Sequence, residues 1–466
     1  MLSFDAENVW DGRFPGDIRL AVHRLAKKGV TAFIVGPAVR DAWMNGSMDK
    51  MQRVDIIAIA RKAHDVDDAL EGVATSTVFF SRPEKLKRGS RFLVHDAKSG
   101  ATIRKLQIMA VPEESGVLDQ LSRREVTVNA LAMNIDGQLL DPYGGLQDLM
   151  HRRLRLITPV QTAFLHKPVN LVKMAKHVAY HGFAPSEESV EYARRSASSI
   201  LDVQIERVRP ELERMLVNLH PDLGLEFLQE TGVLNYLLPE VQAMVGFADS
   251  CRVHHKDIWD HTKKVVARSK PNPAIRWAAL LHDVGKVWTR TVDDKGRVHF
   301  FRHEEMSAYL FTGIGARFRL EDRLADRIHY LVLNHSRINM YTDEWTDSAI
   351  RRLIRDTGEH LSDLISISRA DITSRQERRV AQLTRLLDEL EARITSVEEM
   401  DSKEPVLAKG AGNAIMQFFG LPPSPVVGQL RDALEDAIER GELPAGLEME
   451  AYMGYLKELI RKEGQK

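Results

Sequence analysis

Hydrophobic patterning divides the chain near residue 156. Before that point apolar residues come in short β-type runs, Ala32-Phe33-Ile34-Val35 and Asp55-Ile56-Ile57-Ala58-Ile59-Ala60, broken by Gly, Pro and polar turns. Residues 91–94, 105–111 and 126–135 predict further strands, and Asp141-Pro142-Tyr143-Gly144-Gly145 is a turn cluster that closes the region. Beyond it the period becomes helical. Leu171, Met174, Ala175, Val178 and Ala179 fall at i, i+3, i+4, i+7 and i+8, one apolar stripe that leaves Lys173, Lys176 and His177 outside it. Pro271-Asn272-Pro273 separates two helices, and residues 378–396 predict a charged, largely exposed helix. The stretch from Gly410 to Gly420, followed by Leu421-Pro422-Pro423-Ser424-Pro425, reads as a linker into a last helical tail. There is no internal repeat and no low-complexity tract.

Composition narrows the class without naming a function. A length of 466 residues fits about three domains, and 44% hydrophobic with 28% charged residues is the balance of a globular protein. No apolar run is long enough to span a bilayer, and the first residues lack the basic and apolar regions of a secretion signal. Cys251 is the sole cysteine, which excludes an intrachain disulfide and fits a reducing cytoplasm. A net charge of −1 argues against a broadly basic nucleic-acid coat, so any RNA contact must come from local clusters of Lys and Arg.

The chemistry is concentrated in His261, His282, Asp283, His303, His335 and Asp371. His282-Asp283-Val284-Gly285-Lys286 follows the apolar run Trp277-Ala278-Ala279-Leu280-Leu281, so an imidazole and a carboxylate are expected on a buried helix, facing one ion. His261 and Asp371 can complete that shell from other helices. His303 and His335 would hold a second ion, with Asp283 bridging. Two cations so placed can activate a shared water and stabilise in-line attack on phosphorus. Single histidines among seventeen carry little weight; six residues in this order, with Gly285 and Lys286 behind His-Asp, resemble the HD superfamily of metal-dependent phosphohydrolases. Lys286 would neutralise charge on a non-bridging oxygen. His254 and His255 precede the pattern and are read as decoys. Imidazole-rich sites accept Mn, Fe, Co, Ni or Zn, with Mg as a further candidate.

A second resemblance runs almost end to end. Val35-Gly36-Pro37-Ala38-Val39-Arg40-Asp41, Arg123-Arg124-Glu125-Val126-Thr127-Val128-Asn129-Ala130, Asp141-Pro142-Tyr143-Gly144-Gly145 and Glu206-Arg207-Val208, with the His-Asp region and the tail, resemble the class II tRNA nucleotidyltransferase (CCA-adding) and bacterial poly(A) polymerase family. The resemblance implies an α+β, mostly α fold. A polymerase-β-like nucleotidyltransferase head would occupy residues 1–155, a helical RNA-binding neck and body 156–245, an HD domain 246–395, and a helical tail 396–466. It implies tRNA or another RNA 3′ end, or a nucleotide phosphoester, as partner.

The family's functional residues carry over poorly. Its catalytic strand reads Asp-x-Asp, two carboxylates on one strand face that hold the metal ions of nucleotidyl transfer. Here the aligned tripeptide is Arg53-Val54-Asp55, and Arg cannot lose its proton to make room for a cation. Asp49 lies too far along the chain, and Asp41 belongs to the preceding helix. Pro37 replaces a glycine of the phosphate-facing turn opened by Gly36. The base-reading Glu-Asp-Pro-x-Arg has become His166-Lys167-Pro168-Val169-Asn170, and Gln120 replaces an acid. Gly36, Arg40, Asp41, Arg53 and Asp55 therefore outline a degenerate site. Candidate RNA contacts are Arg82, Lys87 and Arg88 in a basic segment expected to be a loop, Arg123 and Arg124, and Lys173 and Lys176, which keep the charge of two family arginines. Arg317, Arg319, Arg323 and Arg327 form another cluster able to guide a polyanion. Three functions follow: an HD-type phosphatase or 2′,3′-cyclic phosphodiesterase with an inactive head, an active CCA- or A-adding enzyme, or a non-catalytic RNA-binding protein.

Overall fold

The computed structural model describes residues 14–46, 51–86, 89–247, 257–374, 376–402, 407, 410–444 and 446–463. It divides into two compact units, Met1–Asn339 with Ser362–Arg375, and Met340–Leu361 with Gln376–Lys466. No helix among the described residues is long and apolar enough to cross a membrane.

The first unit opens with a seven-stranded mixed sheet. Its strands are β1 (Thr31–Val35), β2 (Arg53–Ile59), β3 (Val78–Leu86), β4 (Gly89–Asp96), β5 (Thr102–Val111), β6 (Ala132–Asn134) and β7 (Leu139–Leu140), in spatial order 3-4-5-2-1-6-7. β2 and β5 run parallel and every other pair is antiparallel. Val35, Ile57 and Val111 pack on Val117 and Leu121 of the helix Glu114–Ser122, which fixes β2 at the centre of the sheet.

Several expectations need correction here. Residues 126–135 are not one strand: Thr127–Asn129 forms a 3₁₀ turn and only Ala132–Asn134 pairs. The turn forms because Thr127 Oγ1 donates to buried Asp148 at 2.6 Å and Asn129 accepts from Arg40, drawing both side chains inward. The basic segment is not a loop. Arg82 and Lys85 lie on β3 and Arg91 on β4, whose Phe80, Phe92 and Val94 enter the core. Lys87 and Arg88 fall outside the described residues, as do Asp49, Cys251, His254 and His255.

Helices follow from residue 160. Val169–His181 packs against Ile205–Leu216 and Pro221–Glu230 through the predicted stripe, whose Leu171, Met174, Ala175, Val178 and Ala179 are all buried. His177, expected outside the stripe, is buried too, because its Nε2 meets Glu125 at 2.8 Å. Ile258–Arg268 and Pro273–Leu281 flank the Pro-Asn-Pro break, where Asn272 caps the second helix by accepting from Ala274 N. Alternation too short to stand out in the sequence forms a small hairpin, Arg290–Val292 with Val298–Phe300.

In the second unit, Asp347–Thr357 packs on Glu377–Ser402, and Ala411–Phe419, Pro425–Glu439 and Met449–Glu463 close around Ile415, Leu434, Tyr452 and Leu456. The stretch expected as a linker is thus mostly helix. Gly410 and Gly420 punctuate its ends in left-handed conformations, as helix-flanking glycines do.

Candidate metal centre

Five chain segments meet at Asp283. The helix Pro273–Leu281 is buried from Ala274 onward, and it ends at Leu281, so His282 and Asp283 sit in the turn just past it instead of on the helix. That turn is pinned by Ser307, whose Oγ donates to His282 O and accepts from Gly285 N, both at 2.8 Å. Gly285 is required by this close approach: a Cβ there would lie 2.4 Å from His303 O and 2.6 Å from Ser307 N. His261 comes from Ile258–Arg268, His303 opens the helix His303–Arg317, His335 follows Asp322–Asn334, and Asp371 ends Leu361–Asp371.

These side chains form two triads that share one carboxylate, His261–His282–Asp283 and Asp283–His303–His335. Asp283 Oδ2 lies 3.4 Å from His261 Nε2 and 3.3 Å from His282 Nε2, while Oδ1 lies 3.5 Å from His303 Nε2 and 3.8 Å from His335 Nε2. Asp371 Oδ1 stands at the edge of the first triad, 2.9 Å from His261 Nε2 and 3.9 Å from His282 Nε2. Lys286 Nζ reaches Asp283 Oδ2 at 2.6 Å. The structure therefore brings together all six residues singled out in the sequence, with Lys286.

The donor set suits a divalent ion. Nδ1 of His282, His303 and His335 faces a backbone carbonyl, of Ala279, Phe300 and Val332. A carbonyl can only accept, so Nδ1 carries a proton and Nε2 points at the cluster, where it can bind an ion once it holds no proton of its own, the arrangement that orients metal-binding histidines. His261 Nδ1 meets the Thr373 hydroxyl at 2.7 Å, which holds the ring in place. Two nitrogens about 2.1 Å from one ion lie roughly 3.0–3.4 Å apart, and His261 Nε2 and His282 Nε2 are separated by 3.3 Å. Asp283 Oδ1 is buried without a hydrogen-bond partner, a cost that a cation would remove.

The electrostatics are strongly coupled. Burial works against the Asp283 carboxylate, but His282 and Lys286 outweigh it and hold its pKa well below the ordinary value. Burial likewise opposes the charged form of Asp371, yet the His261 hydrogen bond brings it down to about 2. Burial, joined by the His282 charge, pushes His335 down to about 4, leaving a neutral imidazole.

The head carries a different site. Arg53 and Asp55 share one face of β2, on either side of buried Val54. Arg53 Nε donates to Asp55 Oδ1 at 3.0 Å and its fork to Gln107 Oε1 at 2.6 Å; Arg124 reaches Asp55 Oδ2 at 3.3 Å. A guanidinium thus occupies the space beside Asp55, and among the described residues no metal-competent group of three forms in the head. Gly36 takes a φ of 72° ahead of the helix Pro37–Asn45. Arg40 is a buried strut, bonded to Asp41 at 2.6 Å, to Asn129, and to Tyr180 Oη at 3.2 Å. Asn170 donates to Ala163 O at 3.0 Å.

Most of the basic candidates are ion-paired within the protein. Arg82 meets Asp67 at 2.9 Å, Arg123 meets Asp119 at 2.9 Å, Lys173 meets Glu125 at 2.5 Å, and Lys176 meets Glu211 at 2.8 Å. Arg317, Arg319 and Arg327 pair with Glu240, Glu206 and Asp363, which offsets three charges of that cluster, while Arg323 stands exposed. Sequence reasoning missed Thr373 and Ser307, which orient ligands through hydroxyls that no periodicity reveals.

Comparison with known proteins agrees with this organisation. Residues 32–155 match the poly A polymerase head domain, 182–244 the probable RNA and SrmB-binding site of polymerase A, and 258–393 the HD domain. The chain is 29% identical to the A-adding tRNA nucleotidyltransferase of Deinococcus radiodurans, over 83% of this chain and 93% of that one. It is 30% identical to the multifunctional CCA protein of Pseudomonas fluorescens, over 61% of this chain and 70% of that one. Several other multifunctional CCA proteins are matched over only about half of their length. A solved Bacillus stearothermophilus CCA-adding enzyme in complex with CTP shares the fold, with a TM-score of 0.56 at 20% identity, covering 98% of this chain and 99% of that one. The head, RNA-binding and HD matches follow one another along the chain, and the chain belongs to the tRNA nucleotidyltransferase and poly(A) polymerase family.

Proposed function

We propose that this family member is an HD-type, divalent-metal-dependent phosphohydrolase, with phosphatase and 2′,3′-cyclic phosphodiesterase chemistry on RNA 3′ ends or nucleotides, and that its head no longer polymerises. One observation carries the reading: a buried carboxylate, Asp283, is shared by two histidine triads and keeps one oxygen unpaired. His261, His282, Asp283 and Asp371 would hold one ion, and Asp283, His303 and His335 the other. Bound divalent ions supply Lewis acidity toward the phosphoryl oxygens and lower the pKa of a water nucleophile. Lys286 keeps Asp283 ionised and, being about one-quarter exposed, is placed to meet negative charge developing on a non-bridging oxygen. Burial of His282, Asp283 and His335 lowers the local dielectric, which strengthens each of these interactions.

The inactive head rests on Arg53. Its permanent charge stands 3.0 Å from Asp55, and Asp55 is the only carboxylate among the described residues that line the cavity beside β2 with Arg53, Gln107, Gln120, Arg123 and Arg124. Binding of tRNA-like RNA rests on the neck and body inherited with the family. The protein is expected to bring a transition metal through purification and to hydrolyse 2′,3′-cyclic nucleotides. Metal-free protein whose hydrolysis is not restored by Mn, Co, Ni or Mg would overturn the reading.

A second reading, addition of CCA or A to tRNA 3′ ends, is favoured by the match across 93% of a relative named as A-adding and 70% of one named as a multifunctional CCA protein. Paired incorporation assays separate the two. Mg²⁺-dependent CTP or ATP incorporation that disappears in Asp55→Ala would establish a working head; its absence alongside cyclic-phosphate hydrolysis supports the hydrolase.

A further inference from the structure

The hairpin Arg290–Val292 with Val298–Phe300 packs on the short helix Lys286–Thr289 and serves the metal centre from one side. Phe300 O accepts from His303 Nδ1 at 3.0 Å, and the Phe300 ring lies 5.8 Å from Lys286 Nζ. Side chains alternate along a strand, so His299 and Phe301 fall on the other side. There their rings stack, with centroids 5.1 Å apart and planes within 9°, and Phe301 is 68% exposed. We propose that this pair is a stacking shelf for the base of the substrate's terminal nucleotide, so that the metal centre acts on phosphoesters that carry a base in preference to base-free ones. The inference rests on the hydrolase reading above and names its substrate class.

The backbone places the shelf beside the site. Phe301 is two residues from the candidate ligand His303, so their Cα atoms stand no more than about 7 Å apart. Phosphate and base within one nucleotide are separated by a sugar ring, a span of the same order. Arg302, between them, has a φ of 59°, a conformation that side chains other than glycine seldom adopt and that persists only where the surroundings impose it. That turn sends His303 inward to the cluster while Phe301 stays in solvent.

The shelf is built before a ligand arrives. His299 Nε2 meets Asp293 Oδ2 at 3.2 Å, which fixes the ring that covers one face of Phe301. The exposure of Phe301 therefore belongs to its other face and its edges, where a base stacks without rearrangement. Charge favours a nucleic-acid occupant. The Arg302 side chain is 82% exposed, and its pairing with half-exposed Glu305 is of the surface kind that gives way readily to phosphate. Thr291, opposite His299, and Asp293 are polar, so this side of the hairpin is a two-ring shelf and not a broad apolar patch of the kind that docks a protein.

The test compares wild type, Phe301→Ala and Phe301→Trp on 2′,3′-cyclic AMP and on glycerol cyclic phosphate, which has the same cyclic ester and no base. Phe301→Ala should lower kcat/KM for the nucleotide about ten-fold more than for the glycerol ester, mainly through KM, the loss expected of one base–aromatic stack. Phe301→Trp should keep the preference. Phe301 is exposed enough that both variants should fold. Equal effects on the two substrates, or none, would overturn the shelf. Wild type that hydrolyses neither substrate counts against the hydrolase reading instead, and calorimetric titration with 3′-AMP then decides the shelf. Binding weakened about ten-fold in Phe301→Ala and retained in Phe301→Trp supports it; no binding, or binding unchanged in Phe301→Ala, overturns it.

Discussion

Gly285→Ala changes no metal ligand, yet it should dismantle half of the metal centre. The added Cβ would stand 2.4 Å from His303 O, 2.6 Å from Ser307 N and 2.8 Å from Ser307 Oγ. Carbon–oxygen contacts settle at about 3.3–3.6 Å, so the start of the helix His303–Arg317 must retreat by roughly 1 Å. Overpacking of that kind costs about 1–3 kcal/mol. The Ser307 hydroxyl, which bridges Gly285 N and His282 O, adds about 1 kcal/mol when its geometry is lost. Destabilisation of about 2–4 kcal/mol should appear in urea unfolding. The functional effect is sharper. His303 Nε2 is drawn away from Asp283 Oδ1, now 3.5 Å off, so the second ion should be lost first and metal content should fall toward one per chain. A displacement near 1 Å costs about 10²-fold in turnover. Ser307→Ala is the control: it removes the bridge without the clash, and should destabilise while retaining more metal and more activity. Gly285→Ala with unchanged stability, metal content and cyclic-phosphate hydrolysis would refute the claim that this contact sets the distance between the triads.

Three further outcomes are expected. Asp283→Asn keeps the shape but removes the shared charge, so both ions should leave and hydrolysis should fall by about 10²–10³-fold or more; turnover persisting with metal still bound would remove Asp283 from the centre. Glu125 is held below its ordinary value of 4.5, first by the His177 hydrogen bond and then by Lys173 and Lys176, against a burial effect that acts the other way. Its folded pKa lies below its unfolded one, so its contribution is complete above about pH 4.5 and is lost as pH falls further. Glu125→Gln should therefore cost about 1 kcal/mol at pH 7 after solvent screening and progressively less below pH 4.5, as read by urea titrations at each pH; a pH-independent difference would count against the ion-pair cluster. Finally, tRNA should be retained in filter-binding assays at low salt and released steeply as salt rises; no retention at low salt would leave small phosphoesters as the substrates.

The sequence alone determined the elements whose signal is local. β1 and the core of β2 were legible as short apolar runs bounded by turn residues, and the buried stripe of Val169–His181 because a 3.6-residue period commits one helix face to the interior. The six candidate metal ligands were legible because their order, with Gly285 and Lys286 behind His-Asp, resembles the HD superfamily. What local pattern could not supply is how distant pieces meet. Residues 126–135 look like a strand until Asp148 and Arg40 draw Thr127 and Asn129 inward, and those partners lie elsewhere in the chain. His282 and Asp283 look helical because the apolar run before them is, but the helix stops at Leu281, where Ser307 from a later helix takes over the backbone groups. The arginines near 320 read as an open basic face, and only tertiary packing delivered Glu240 and Glu206 to two of them. The same holds at Asp283. Sequence named the carboxylate, while the sharing of its two oxygens between two triads was decided by five segments converging in space, because ligand geometry is a property of distances that no one-dimensional spacing encodes.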